Sequence, residues 1–165
     1  MSKNHQYFID LKWTGNREIG TQTYASYERS YQIQIADKPV LEGSADPAFR
    51  GDATKYNPEE FLVMALSSCH MLWYLHLCAA AGIVVVDYQD LAEGTLKEEK
   101  GGEGQFAEVV LKPTVRITSS DSLQKAQQLH AEASQKCFIA NSVNFPVKHE
   151  AQVVVGVSKD KKATY

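Results

Sequence analysis

The apolar positions divide the chain into distinct stretches. His5 to Trp13 is rich in Tyr, Phe, Ile and Trp and predicts a strand, closed by a Thr14-Gly15-Asn16 turn. Thr21 to Ala36 alternates, with Tyr27, Tyr31, Ile33 and Ile35 set against polar neighbours, and predicts a second strand. Asp37-Lys38-Pro39 has turn chemistry and leads into a short strand through Leu41. Residues 44–56 form a long polar loop, a kind that often carries function inside a compact domain. Asn57 is a good N-cap, Pro58 suits the first helical position, and Glu59 and Glu60 complement the positive end of a helix dipole. The Asn57–Glu60 spacing is an Asx variant of the capping box. From Phe61 to Val86 there is no Asp, Glu, Lys or Arg, which predicts a helix to about Ala81, stopped by Gly82 and buried on all sides. Strands near 83–98 and 106–118 follow, linked by Gly101-Gly102-Glu103-Gly104. A second helix, from Ser120 or Asp121 to about Cys137, places Leu123, Ala126, Leu129 or His130, and Ala133 on one face. A last strand holds Val153, Val154, Val155 and Val157, and residues 159–165 read as a polar tail. The order β-β-β-α-β-β-α-β predicts an α+β fold, with antiparallel sheets packed around a long buried central helix.

Composition adds limits. A chain of 165 residues suits one domain, expected to span residues 1–165. The net charge is −3 and the basic residues are scattered, which argues against a nucleic-acid groove. The start Met-Ser-Lys-Asn-His-Gln-Tyr has no apolar signal region, so a cytoplasmic, reducing location is expected. The uncharged run is long enough to span a bilayer. Ser67, Ser68, His70, His76 and Gly82 interrupt it and no Lys or Arg cluster flanks its end, so no membrane partner is expected. Three cysteines without a C-x-x-C pair point away from a disulfide scaffold and from structural zinc.

The candidate chemistry centres on thiols. Cys69 lies in Leu-Ser-Ser-Cys-His-Met-Leu-Trp. It reads either as a small buried hydrophobe or as a reactive thiol, and the second reading needs a cation or hydrogen-bond donors nearby to stabilise the thiolate. Ser68 and His70 adjoin it in sequence, but helix neighbours one residue apart point elsewhere. Cys137, near the second helix's end, can cycle with Cys69 between dithiol and disulfide if the two meet, which sequence spacing leaves open. Cys78 falls on the helix face opposite Cys69 and reads as core. His70 and His76 are poorly spaced to join Cys69 and Cys137 in a metal site, and no metal or cofactor is expected. There is no Gly-x-Ser-x-Gly elbow to suggest a hydrolase.

The stretch Asn57-Pro58-Glu59-Glu60-Phe61 through Ser68-Cys69-His70, with Cys137-Phe138-Ile139-Ala140-Asn141-Ser142 downstream, resembles the OsmC/Ohr family of osmotically induced and organic hydroperoxide resistance proteins. The resemblance implies a thiol-dependent peroxidase, with Cys69 attacking an organic hydroperoxide to form a sulfenic acid and Cys137 resolving it as a disulfide. It implies a stress-response, antioxidant role and a thiol reductant: a lipoyl protein, a thioredoxin-like protein or a small thiol. It also implies a Glu and an Arg near the thiol. The Glu maps to Glu59; the Arg maps to Arg17 in the placement of one branch and to Arg50 in that of the other, with Arg50 favoured because the long loop delivers it near the helix start. Met64, Met71, Leu72, Trp73 and Phe49 are expected to form an apolar wall for alkyl hydroperoxides. Glu59 and Cys69 stand about 15 Å apart along a straight helix, so one site using both needs a second chain or an Arg that bridges the gap. The resemblance implies the former, an intertwined homodimer with sites at the interface. His70 departs from the aromatic residue often found after this Cys, and the alternative is a non-catalytic binding protein with inert cysteines.

Overall fold

The computed structural model describes residues 3–157, and the expected polar tail lies outside them. The chain divides into two compact units, Met1–Leu62 and Val63–Tyr165, and the division falls inside the long helix. The first unit holds an antiparallel sheet of β1 (Asp10–Trp13), β2 (Tyr31–Gln34) and β3 (Leu41–Gly43). β1 is shorter than the expected His5–Trp13 strand. Its pairing ends at Asp10 opposite Gln34, and beyond that the partner chain turns back, with Lys38 N–H bonded to Ile35 O and Ala36 at φ +44°. The expected strand from Thr21 begins only at Tyr31. Before it the chain is folded on itself by side-chain bonds: Ser26 Oγ to Gly20 O, and Arg29 to the carbonyls of Tyr24 and Tyr27. The polar loop contains a 3-10 turn, Pro47–Phe49, capped by the Asp46 carboxylate.

α1 (Pro58–Ala80) starts as its sequence requires. Glu60 N–H donates to Asn57 Oδ1 at 2.8 Å while Asn57 N–H donates to Glu60 Oε2 at 3.0 Å, a reciprocal capping box. Its end is equally defined. Ile83 N–H bonds Cys78 O and Gly82 N–H bonds Ala79 O, the two bonds of a Schellman motif, with Gly82 at φ +69°. One expectation is corrected here. Within the chain α1 is buried not on all sides but along one stripe of four-residue steps, Leu66, His70, Tyr74 and Cys78. The helix is apolar and long enough to cross a membrane by length and composition, and only 22% of its most apolar window is buried.

The second unit corrects the strand count. Each of the two long strands expected after α1 is two strands: β4 (Val85–Asp90) and β5 (Glu93–Glu98), then β6 (Gly104–Leu111) and β7 (Pro113–Ile117). Both bend at the same level, where the Asp90 carboxylate takes the Lys112 N–H at 2.7 Å. Thus β4 pairs with β7 and β5 with β6, both antiparallel. α2 (Leu123–Lys136) follows a short 3-10 turn and ends at Cys137. It acts as a crossover, so β8 (Val147–His149) and β9 (Gln152–Val155) run parallel to β6 and β7 rather than antiparallel. The core of this unit gathers Tyr74, Cys78 and Ile83 with Val115, Ile117, Ala126, Leu129 and Ala133. Leu123, expected on the same face of α2, is exposed.

Gly82→Ala tests the helix stop. No atom lies within 4 Å of the place its Cβ would occupy, so the cost is the left-handed backbone alone. The variant should lose about 1–2 kcal/mol of stability, read as a lower urea midpoint at an unchanged slope.

Candidate thiol site

The second unit brings Cys69 and Cys137 together. One turn of α1 presents two adjacent rows to α2. In the first, His70 and Tyr74 meet His130: the His70 and His130 rings stack 5.4 Å apart, and the Tyr74 and His130 rings 3.8 Å apart. In the second, the Cys69 thiol neighbours that of Cys137, and Trp73 packs edge-on to Phe138 at 5.7 Å. Both cysteines are free thiols; Cys69 is partly exposed and Cys137 is buried. Burial first, and then the neighbouring Cys69 thiol, push the Cys137 pKa up to about 11. The Ala140 N–H donates to Cys137 Sγ at 3.4 Å. Cys137 therefore carries its proton at neutral pH, and two neighbouring thiols stand where the end of α2 meets α1. Cys78 is buried in the core, as its place on the helix predicts.

The surroundings of Cys69 are aromatic. Leu72 and Phe138 are strongly exposed, and the Lys136 ammonium lies 5.8 Å from the Trp73 ring. The expected apolar wall is only partly present within the chain. Leu72 and Trp73 follow Cys69 within one helical turn on the same flank, whereas Met64 and Met71 line a separate groove with Val63, Tyr88 and Asp90. Helical rotation is the cause: Met64 and Met71 are roughly 140° and 200° around the axis from Cys69.

Arg17, Arg50 and Glu59 belong to the first unit. Arg17 forms an ion pair with Glu28. Arg50 sits in the left-handed C-cap of the 3-10 turn, with its guanidinium 5.8 Å from the Tyr24 ring centre. Neither is paired with Glu59, which makes no ion pair among the described residues and whose charge, after burial, raises the Tyr31 pKa.

Sequence reasoning missed the histidine cluster. His70 Nε2 and His130 Nδ1 are 3.1 Å apart, one donating and the other accepting, and His149 of β8 lies 5.7 Å from His70, ring to ring. His70 and His130 are each 1% exposed. Burial, then the charge of His149, lowers the His70 pKa to about 4, partly opposed by Asp90; burial, then His70 and His149, lowers that of His130 to about 3. The available signal was periodicity, which set His130 on the buried face of α2, since a buried imidazole requires a partner. Asp90 was also missed. It accepts the Ser67 hydroxyl at 2.6 Å as well as the Lys112 N–H, tying α1 to the bend of the sheet. Among the described residues no group of three or more His, Cys, Asp or Glu is arranged to hold a metal ion.

Comparison with known proteins places this fold. Residues 51–152 match the family model described as OsmC-like protein. An OsmC-like protein of unknown function from Vibrio cholerae superposes with a TM-score of 0.81 at 31% identity, covering 90% of this chain and all of that one. The Bacillus subtilis protein YmaD is 25% identical over 160 residues, 93% of this chain and 97% of the relative. An organic hydroperoxide resistance protein from Elizabethkingia anophelis shares the fold, with a TM-score of 0.67 at 15% identity over 94% of this chain and all of that one.

The histidine pair sets an acid limit on stability. Both folded pKa values lie below the ordinary 6.5. The unfolded chain therefore binds protons that the folded chain refuses, and stability present above pH 6.5 is lost as the pH falls toward 4. Across that window each ring should cost about 1.4 kcal/mol per pH unit. Denaturant titrations at stepped pH should reveal an uptake of about two protons on unfolding, which a double variant, His70→Gln with His130→Gln, should abolish.

Proposed function

The chain belongs to the OsmC-like family, and from that premise we propose that it is a thiol-dependent peroxidase acting on organic hydroperoxides. The observation that carries this reading is the neighbouring Cys69–Cys137 pair, one thiol partly exposed and the other buried. The Cys69 thiolate attacks the terminal peroxide oxygen. The O–O bond breaks, Cys69 becomes a sulfenic acid, and the alkoxide leaves as an alcohol after taking a proton. Cys137 sulfur then attacks Cys69 sulfur, the S–O bond breaks, and the departing hydroxide leaves as water with the Cys137 proton. An external thiol reductant restores the pair by exchange.

In this reading two copies of the chain form the working unit. Met64 and Leu72 leave apolar surface exposed on α1, and Leu11 does so on β1, surface that a second copy would cover. The partner would also supply the guanidinium of Arg50 or Arg17, steadied by Glu59, to stabilise the Cys69 thiolate and bind peroxide oxygens. Trp73, Leu72 and Phe138 would favour an alkyl or aryl body over hydrogen peroxide. A cytoplasmic site of action fits the need for a thiol reductant. The competing reading is a binding protein of the same fold with inert thiols, which the burial of Cys137 favours.

Mass spectrometry after one equivalent of cumene hydroperoxide separates the two. The peroxidase reading expects a Cys69–Cys137 disulfide with Cys78 free, no oxidation in Cys69→Ser, and a trapped sulfenic acid in Cys137→Ser. Unoxidised cysteines, or a bridge involving Cys78, would overturn it.

A further inference from the structure

The two rows of the helix junction are built on consecutive residues. His70 follows Cys69, and Tyr74 follows Trp73. On α2, Cys137 lies seven residues after His130, almost two full turns, and so shares its face. The His130 contact thus anchors one end of this α2 face and the Cys137 contact the other. We propose that the buried His70–His130 pair, backed by His149, is the positioning element that holds Cys137 against Cys69, and that charging these rings releases the Cys137 end of α2 as a local opening.

The geometry admits the closed state only with few protons present. A 3.1 Å nitrogen–nitrogen contact needs a donor facing an acceptor. With both rings charged, two N–H groups face each other, a like-charge pair in a buried setting. His70 is faced by His130 of α2, His149 of β8 and Asp90 of β4; His130 is faced by His70 and Tyr74 of α1 and by His149. Among the described residues Asp90 is the one opposing charge, and its two oxygens are already occupied by Ser67 and Lys112. Among the described residues the Nε2 of His130 has no hydrogen-bond partner, so in the doubly charged pair both of its N–H groups are unsatisfied until the helix moves.

The release is easiest at the Cys137 end. Cys137 is the C-cap of α2, already in extended backbone, and a short 3-10 turn at Ala140–Ser142 follows it. Freed rings return to an ordinary pKa near 6.5, while the closed pair stays near 4 and 3. Between those limits each ring shifts the opening equilibrium about tenfold per pH unit, and both together about a hundredfold. Any effect on peroxide turnover rests on the function proposed above, but the opening does not, and it is measured without peroxide.

The reduced wild-type protein is labelled with dithiodipyridine, which still titrates thiols in acid, from about pH 7 to about pH 4.5. Rates are normalised to a small free thiol at each pH, and peptide mapping separates the three cysteines. The proposal expects Cys137 labelling to accelerate between about ten- and a hundredfold per pH unit while Cys78, buried in the core beside the same helices, stays protected. His130→Gln keeps a hydrogen-bonding group but cannot be charged, and should cut the rise in Cys137 labelling to that of the remaining rings, about tenfold per pH unit or less. His149→Gln should lessen the steepness. If Cys137 and Cys78 become reactive together, the histidines govern only global stability and the proposal fails. It fails equally if Cys137 stays protected in acid, or if His130→Gln or His149→Gln leaves the wild-type rise unchanged. Should His130→Gln not fold, the Cys137–Cys78 comparison in the wild-type protein and the His149→Gln profile decide.

Discussion

Everything chemical in this molecule depends on how the α1 turn from Cys69 to Tyr74 meets α2. On a helix, residues four apart stand one above the other, so positions 69 and 73 make one row and positions 70 and 74 the next. The first row gives thiol and aromatic contacts to Cys137 and Phe138; the second gives an imidazole and a stacked phenol to His130. A small rotation of α1 would exchange the rows and separate the thiols. The His70–His130 hydrogen bond resists that rotation because it is directional, where a purely apolar contact would tolerate sliding.

The sheet supplies the second constraint. A carboxylate in a strand is an expensive choice unless it is fully used, and Asp90 is: one oxygen takes a backbone N–H where β6 gives way to β7, the other a hydroxyl from α1. The same residue therefore bends the hairpin and fixes the rotation of the helix two residues before Cys69. β8 then delivers His149 beside His70, because the α2 crossover returns the chain parallel to β6.

Much of this is legible in the residues, and the limits have physical causes. The ends of α1 follow from Asn57, Glu60 and Gly82 because capping is local chemistry, and the limits of α2 follow from its apolar spacing. The doubling of strands and the parallel pairs were not legible. They depend on Asp90 reaching Lys112, twenty-two positions away, and on a crossover that no local pattern announces. The same holds at the site. Cys69 and Cys137 were singled out through family resemblance, and only the fold brings them into contact. His130 was correctly set on a buried face, but its partner, sixty positions away, was not identifiable.

The unequal environments of the two thiols suit the division of work proposed for them. A sulfur that meets a substrate first must be reachable, and Cys69 is partly exposed on a rigid helix. A sulfur that must wait should be protonated and shielded, and burial gives Cys137 both properties. Passing from two free thiols to a disulfide brings the two sulfurs to about 2.05 Å, and one of them has to move. Moving Cys69 would disturb a helix interior held by Asp90 and His70. Moving Cys137 disturbs a helix end, where it loosens the weak bond from Ala140 N–H to its sulfur and the backbone bonds from Asn141 N–H and to Ser134 O. Cys137 therefore stands where displacement costs least, at the C-cap of α2, seven residues beyond the buried histidine pair.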